Sequence, residues 1–460
     1  MDTKKNRLDL ESVRARLSKT EGKEYWRCLD ELAATEEFED MLHREFPREA
    51  SVWNNPLGRR NFMKLMGASL AFAGLNGCGI HEPKETIVPY VQQPEEIVLG
   101  KPLYFATAMT QDGVATGLLA ESHEGRPTKI EGNPQHPGSL GSTDLFCQAS
   151  VLSLYDPDRS QSVTYLEDIR TWSSFVGALQ GAMAAQLGRQ GAGLRILTQT
   201  ITSPSLADQI NSLLAAYPQA KWYQYDPAAL HNTKAGATLA FGQYVNTVHQ
   251  FDKADVVLSL DSDFLFTGPG MVRYVRDFTS RRRLLNGSSK MNRLYVVEST
   301  PSNTGAMSDH RLPLRATEIG RFAASIAAAL GVGEPAAAPA AHDDWINAIA
   351  NDLKSHRGSG IVIAGESQPP YVHALVHAMN QSLGNAGAAL VYTDPLEARP
   401  VDQVASLREL VADMNSGKVD LLLIVGGNPV YNAPADLDFA GALTKVPLRA
   451  HMGMYLDETS

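Results

Sequence analysis

Thiols are what this chain has least of. Three cysteines are spread over 460 residues, at Cys28, Cys78 and Cys147. A cubane iron–sulfur cluster takes four thiolates and a structural zinc site four nitrogen or sulfur ligands. The chain alone therefore builds no cluster, and it has no disulfide framework. No apolar run approaches the roughly 20 residues that a membrane-spanning helix needs. Net positive charge is absent too. The formal charge is −10, which argues against nucleic acid as a partner. The one basic cluster, Arg281-Arg282-Arg283 with Arg273 and Arg276, reads as a solvated helix end or a contact to an acidic subunit. What remains, 43% hydrophobic and 20% charged residues, suits a globular body of two or three domains.

The most informative stretch is 58–78. Arg59-Arg60, followed by Phe62 and Lys64, opens a Gly/Ala/Met-rich run from Leu65 to Leu75 that ends at Cys78. The run has signal-peptide length, and the pattern resembles the signal of the twin-arginine export pathway. Leu75-Asn-Gly-Cys78 resembles a lipoprotein cleavage box with Cys78 as the lipidation candidate. One acyl chain anchors only marginally. Residues 1–57 precede the signal as a helical leader extension, with Trp26, Leu29, Leu32, Phe38, Met41 and Leu42 at helical spacing. A Pro-Leu-Gly hinge at Pro56–Gly58 joins the two.

Residues 79–165 are rich in Gly, Pro and Thr and read as an irregular, β-leaning N-terminal domain. From 166 onward, short apolar runs alternate with helical stretches. Strands are expected at Leu194–Thr198, Lys221–Tyr225, Asp255–Leu260, Leu294–Glu298, Gly360–Gly365, Ala389–Thr393 and Val419–Gly426. Helices are expected at Ile169–Leu187, Ser205–Tyr217, Gly270–Arg283, Ile319–Leu330, Asp343–Arg357, Pro370–Leu383 and Val401–Asn415. This alternation predicts an α/β fold with doubly wound, mostly parallel sheets. The Ala/Pro stretch Val332–Ala341 places a boundary between one α/β domain at 166–331, of dinucleotide-fold type, and a second at 342–460.

Three segments carry a family resemblance. Lys129-Ile-Glu-Gly-Asn-Pro-Gln-His-Pro137, with Leu154-Tyr-Asp-Pro-Asp-Arg159, resembles the N-terminal signature of the molybdopterin oxidoreductase superfamily of formate dehydrogenase and dimethyl sulfoxide reductase. Ala254-Asp-Val-Val-Leu-Ser-Leu-Asp261 and Asn303–Leu314 resemble its dinucleotide-fold domain. Leu421-Leu-Leu-Ile-Val-Gly-Gly-Asn-Pro-Val-Tyr431 resembles its glycine-asparagine-proline turn, which makes Gly426, Gly427 and Asn428 candidates for a vestigial pterin-nucleotide pocket. The resemblance departs where the cluster cysteines belong. That region reads Ala106-Thr-Ala-Met-Thr-Gln-Asp-Gly-Val-Ala-Thr-Gly117, and beyond Cys147 the expected lysine is Ala149.

A body of this type behind an extended twin-arginine leader resembles the large peripheral subunit of alternative complex III. The resemblance implies a cofactor-free structural and assembly half, with no catalytic or metal-binding residue in 1–460. Its 3Fe-4S and 4Fe-4S clusters would lie in a further half beyond Leu456–Ser460, which the chain does not contain. It also implies integral membrane quinol-binding subunits and multihaem cytochrome subunits as partners, on the periplasmic face of the bacterial inner membrane. The alternative is a molybdopterin-dependent oxidoreductase lacking the proximal cluster. His373 and His377, at i and i+4, could share a metal but have no acidic partner nearby in sequence, so they read as a half-buried helix face. Glu131, Asn133 and His136 read as a structural polar loop, and Cys147 as a small buried residue.

Overall fold

A computed structural model of the chain describes residues 96–111, 113–284, 290–333 and 342–460. The leader, Arg59, Arg60, Phe62, Lys64 and Cys78 lie outside the described residues.

The expected irregular domain contains a regular antiparallel meander of β1 (Leu103–Gln111), β2 (Val114–His123) and β3 (Arg126–Gly132). Glu124 and Gly125 turn β2 into β3 with φ of 53° and 83°, the doubly positive turn that suits strand twist. Alternation along these strands is faint because the sheet covers only one small cluster, formed by Leu118, Ile130 and Cys147. Helix α1 (Leu145–Ala149) closes that cluster, its first turn capped by Asp144, which accepts from the Cys147 amide at 2.7 Å. A hairpin of β4 (Val163–Tyr165) and β5 (Asp168–Arg170) crosses the boundary expected at 165. Helix α2 (Trp172–Leu187) therefore starts three residues later than expected from the sequence, where Thr171 accepts from the Ser174 amide at 3.2 Å.

The remaining elements follow in chain order. They are β6 (Leu194–Thr198), α3 (Pro204–Ala216), β7 (Lys221–Gln224), α4 (His231–Phe241), β8 (Asn246–His249), β9 (Val256–Leu260), α5 (Met271–Ser280), β10 (Arg293–Glu298), α6 (Asn303–Ala306), β11 (His310–Pro313), α7 (Ala316–Ala329), α8 (Asp343–Ser355), β12 (Gly360–Ala364), α9 (Pro370–Ser382), β13 (Leu390–Thr393), α10 (Gln403–Asn415), β14 (Leu421–Val425), α11 (Pro429–Asn432), α12 (Phe439–Leu443) and β15 (Leu448–Met452). Four strands form a parallel sheet in the order β15-β14-β6-β7, four more a parallel sheet in the order β11-β10-β9-β12, and β8 and β13 form an antiparallel ribbon.

The α/β class agrees with expectation; the division at 332–341 does not. Strand β12 lies beyond that stretch yet pairs with β9, while β6 and β7 lie before it and share a sheet with β14. One lobe is thus inserted between β7 and β14 of the other. Parallel pairing between strands distant in sequence leaves no mark in composition.

Both four-stranded parallel sheets are covered on both faces, as parallel strands require. In the inserted lobe, Ile319, Phe322 and Ile326 of α7, Ile349 and Leu353 of α8, and Val372 and Met379 of α9 cover one face. Phe251, Phe264 and Phe278 fill the other, with the first two rings stacked at 4.4 Å. In the outer lobe, Leu407, Leu410 and Met414 of α10 pack with Phe439, opposite Ile196, Trp222 and Ile210 of α3.

Inside this lobe Arg195 Nε lies 2.8 Å from Asp413, with both side chains under 8% exposed. The Tyr223 hydroxyl donates to the same carboxylate at 2.9 Å. Burial works to raise the Asp413 pKa, but the hydrogen bonds from Tyr223 and Arg195 outweigh it and hold the pKa below the usual value. Asp413→Asn should strand a buried guanidinium and cost about 3 kcal/mol or more, whereas the double change Arg195→Met/Asp413→Leu should come close to neutral. Urea melts of both variants decide this, and equal losses would count against it.

Candidate functional site

Ligands of open parallel sheets bind outside the carboxyl ends of the strands, where the strand order reverses. The outer sheet reverses between β6 and β14, since β6 leads outward to β7 and β14 leads the other way to β15. The Gly426-Gly427-Asn428 turn sits there, at the end of β14 and facing the end of β6. Gly426 and Gly427 have φ of 71° and 72°, which glycine adopts without strain. A Cβ on Gly426 would lie 2.9 Å from Gln199 Oε1, and one on Gly427 3.2 Å from Gln199 Cγ. The Gln199 side chain thus lies across the glycine pair. The Asn428 carboxamide is used up inside the chain: its Nδ2 donates to Glu458 at 2.6 Å, and its Oδ1 accepts from Thr459 Oγ1 at 2.7 Å and from the Thr459 amide at 3.2 Å. His451 Nε2 stands 3.0 Å from the Gly427 carbonyl. The space left among Thr198, Tyr225, Gly427 and Asn432 is about 10 Å³, room for about one water and none for a pterin nucleotide.

The inner sheet reverses between β9 and β12, and this crevice is closed as well. Asp261, at a φ of 57°, accepts from Ser367 Oγ at 2.7 Å, from Gln368 Nε2 at 3.1 Å and from the Ser299 amide at 3.3 Å. A Cβ on Gly365 would fall 1.9 Å from the Asp261 carbonyl oxygen, so the two strand ends touch. The motif residues beside it are likewise bonded internally. Glu298 accepts from Ser302 Oγ and from Arg311 Nε, each at 2.5 Å, and Asp263 accepts from Thr304 Oγ1 at 2.7 Å. As they stand, neither crevice fits the nucleotide that molybdopterin folds hold there.

The structure forms the turn at the end of β14 from Gly426, Gly427 and Asn428. It adds Gln199, His451, Glu458 and Thr459, which no motif marked; a polar residue just past a strand is too common a signal to stand out. Among the described residues no three His, Cys, Asp or Glu side chains gather as a metal site, and no helix is long and apolar enough to cross a membrane. Cys147 is buried, and desolvation, helped by Asp144, pushes its thiol up to about 11. Four of the five arginines of the basic cluster have partners within the chain. Arg273 donates to the Pro137 carbonyl at 2.8 Å and Arg276 to that of Leu140, Arg281 pairs with Asp255, and Arg282 reaches Asp309 at 2.5 Å. Arg273 and Arg276 thus hold the 137–140 loop against α5, while Arg283 stands exposed at the end of that helix.

No protein-family model matches the chain. The chain is similar to the menaquinone reductase, molybdopterin-binding-like subunit of Nitratidesulfovibrio vulgaris (strain Hildenborough), at 23% identity over 88% of this chain and 64% of that protein. It thus spans less than two thirds of that relative's length. Its fold is similar to that of acetylene hydratase from Pelobacter acetylenicus, with a TM-score of 0.53, 12% identity and coverage of 76% of this chain and 61% of that one. The structural likeness bears on the fold, a mixed α/β body with parallel sheets.

His373 and His377 share the buried face of α9, against α4 and the β8–β13 ribbon. His377 Nδ1 lies 3.3 Å from the Tyr392 hydroxyl, and its ring stands edge-on to Phe241 at 5.0 Å. His249 lies between Phe251 and Tyr274. Burial pushes His249 and His377 down to about 4 and lowers His373 as well. The unfolded chain takes up these protons near pH 6.5 and the folded chain only near pH 4, so stability is full above the first value and falls as pH drops between them. Each of the first two histidines should cost about 3 kcal/mol at pH 4. Urea titrations from pH 7 to 4 should show a steep loss in the wild type and a shallower one in His249→Gln/His377→Gln. Parallel curves would show that other groups set the acid limit.

Proposed function

We propose that this chain is a cofactor-free structural and assembly part of a membrane quinone-oxidoreductase complex, of the alternative complex III type. The observation that carries this reading is the closed crevice between β6 and β14. The side chains that would meet a pterin nucleotide are already bonded to Glu458 and Thr459 or covered by Gln199. The chain's one described thiol is buried and protonated, and a cluster needs four thiolates. The name of the similar protein, a molybdopterin-binding-like subunit of a menaquinone reductase, favours the quinone-linked context.

In this reading the twin-arginine segment sends the folded chain to the periplasmic face of the inner membrane. There it docks to integral membrane quinol-binding subunits and multihaem cytochrome subunits, with Cys78 a candidate for lipidation. Its partners carry out quinol oxidation and electron transfer, and its own residues supply contact surface. Two measurements test this. Metal analysis of the purified full chain should find molybdenum and iron far below one per chain, with no pterin fluorescence after denaturation; either at one per chain would refute the reading. Arg59→Lys/Arg60→Lys should hold the protein in the cytoplasm at least tenfold above wild type by fractionation, and undiminished export would remove the twin-arginine assignment.

A further inference from the structure

Strand β7 ends the outer sheet, and its side turned away from β6 opens on a slot of about 520 Å³. Asn211 and Leu214 of α3 wall the slot on one face of the sheet and Glu409 of α10 on the other, with Arg399 beside them. The strand's own bonds show which groups face it. The Tyr225 amide donates to the Thr198 carbonyl at 2.9 Å, so the odd-numbered residues of β7 bond to β6 and the even-numbered ones point outward. On that outer side the Gln224 amide donates to Ser406 Oγ at 3.1 Å, and Arg399 donates to the Trp222 carbonyl. The Trp222 amide lies on the same side and has no partner among the described residues. Its place is fixed, since the indole is buried and donates to Thr198 Oγ1 at 3.0 Å. Charge in the slot is unbalanced. Lys221 is paired with Glu409 at 2.7 Å, and Asp413, 3.4 Å from Lys221, is held by Arg195. Arg399 is exposed, its guanidinium 5.9 Å from the centre of the Trp222 ring, and no carboxylate among the described residues pairs with it.

We infer that this slot takes an extended segment of a partner polypeptide that brings an acidic side chain to Arg399. Charge selects the side chain. A carboxylate entering the slot meets the Arg399 guanidinium in a charge-assisted hydrogen bond, whereas a cation entering it meets a charge of its own sign. The floor selects the backbone. The Trp222 amide is an edge-strand donor still in want of a carbonyl, the kind of group that an extended peptide satisfies when it lies along a sheet edge. Volume selects the shape. The four residues of β7 span about 13 Å, and a helix of about 10 Å diameter would need roughly 1,000 Å³ over that length. The slot holds about half of that, so an extended chain fits and a helix does not. The Lys221–Glu409 pair is about half exposed, so little is lost if it shifts to admit the segment. The inference rests on the platform reading only in taking contact as the work of the chain. Its test uses a peptide, so its failure would leave the metal and pterin result untouched.

The probe is a fluorescein-labelled, C-terminally amidated peptide, Thr-Val-Thr-Glu-Val-Thr-Val; the control carries glutamine in place of its glutamate. Anisotropy with the full chain should saturate in the micromolar range for the first peptide and at least tenfold higher for the control. Arg399→Gln should weaken the first peptide at least tenfold. Arg399→Glu should reverse the preference, losing the glutamate peptide and binding one with lysine in its place. Arg399 is exposed, so unchanged melting curves are expected and report folding. No binding, equal binding of the glutamate and glutamine peptides, equal binding by Arg399→Gln, or an unaltered preference in Arg399→Glu overturns the proposal. Displacement of the peptide by N-acetylglutamate amide at equal concentration overturns it too, by giving the slot to a small carboxylate. A dimer in sedimentation velocity that Arg399→Glu dissociates also overturns it, by giving the slot to a second copy of this chain.

Discussion

The pairing of β6 with β14 is the constraint on which the rest of the architecture depends. Arg195 and Asp413, which meet beside it, are 218 residues apart in sequence. Closing a loop of that length costs about 5 kcal/mol of chain entropy. The strands recover this by burying Ile196, Leu197, Leu422 and Ile424, each on the order of 2 kcal/mol. Polar bonds fix the register around them: Gln186 donates to Asp420 at 3.0 Å and Lys221 reaches Glu409 at 2.7 Å. Once this seam forms, the inserted lobe is held at both of its ends. The strand order of the outer sheet reverses at the crevice beside Gly426.

What a crevice does depends on whether its polar groups still need partners. A Gly-Gly-Asn-Pro turn can present amides to a phosphate, or it can simply end a strand. Here the Asn428 carboxamide makes three bonds to Glu458 and Thr459. A ligand that displaced them would forgo about 3 kcal/mol, more than a hundredfold in affinity. Gln199 would have to leave the glycine pair as well. The second crevice imposes the same kind of penalty through Asp261, Ser367 and Gln368. The residues that make the superfamily turn recognisable are therefore present and bonded within the chain, while Asn432 Oδ1 and Gln368 Oε1 stay buried without a partner.

The part of this that was legible in sequence was whatever periodicity and punctuation record. All seven expected strands from Leu194 to Val425 appear within two residues at either end; most are buried parallel strands written as short apolar runs, while β13 is a partly buried antiparallel one. The helices from Pro204 onward that were expected also appear. Helix α4 was missed because His231, Asn232, Thr233 and Lys234 hide its apolar side; its first amides are satisfied from afar by Glu366, which accepts from Asn232 N at 2.7 Å. The β1–β3 meander was missed as regular structure because one half-covered face leaves little alternation. At the site, the glycines and Asn428 could be found from their turn chemistry. Gln199, Glu458 and Thr459 could not, since they matter only through a fold that brings residue 199 beside residue 427.

Inside, arginines, carboxylates and amides close on one another: Arg195 on Asp413, Glu298 on Arg311, Asp261 on Ser367 and Asn428 on Thr459. Outside, Tyr104 and Phe105 of β1 are more than half exposed, as are Leu166, Ile169 and Trp172. Scattered apolar residues are ordinary on a protein surface. A charge-free helix and an uncovered hairpin that adjoin each other are not, because contiguous apolar area of this kind is a place where burial remains to be gained. An enzyme concentrates unsatisfied polar groups in a cleft, where a transition state meets them. In this chain most polar groups at the two strand-end crevices are bonded internally, Gln368 Oε1 and Asn432 Oδ1 excepted, and apolar area is left on the faces.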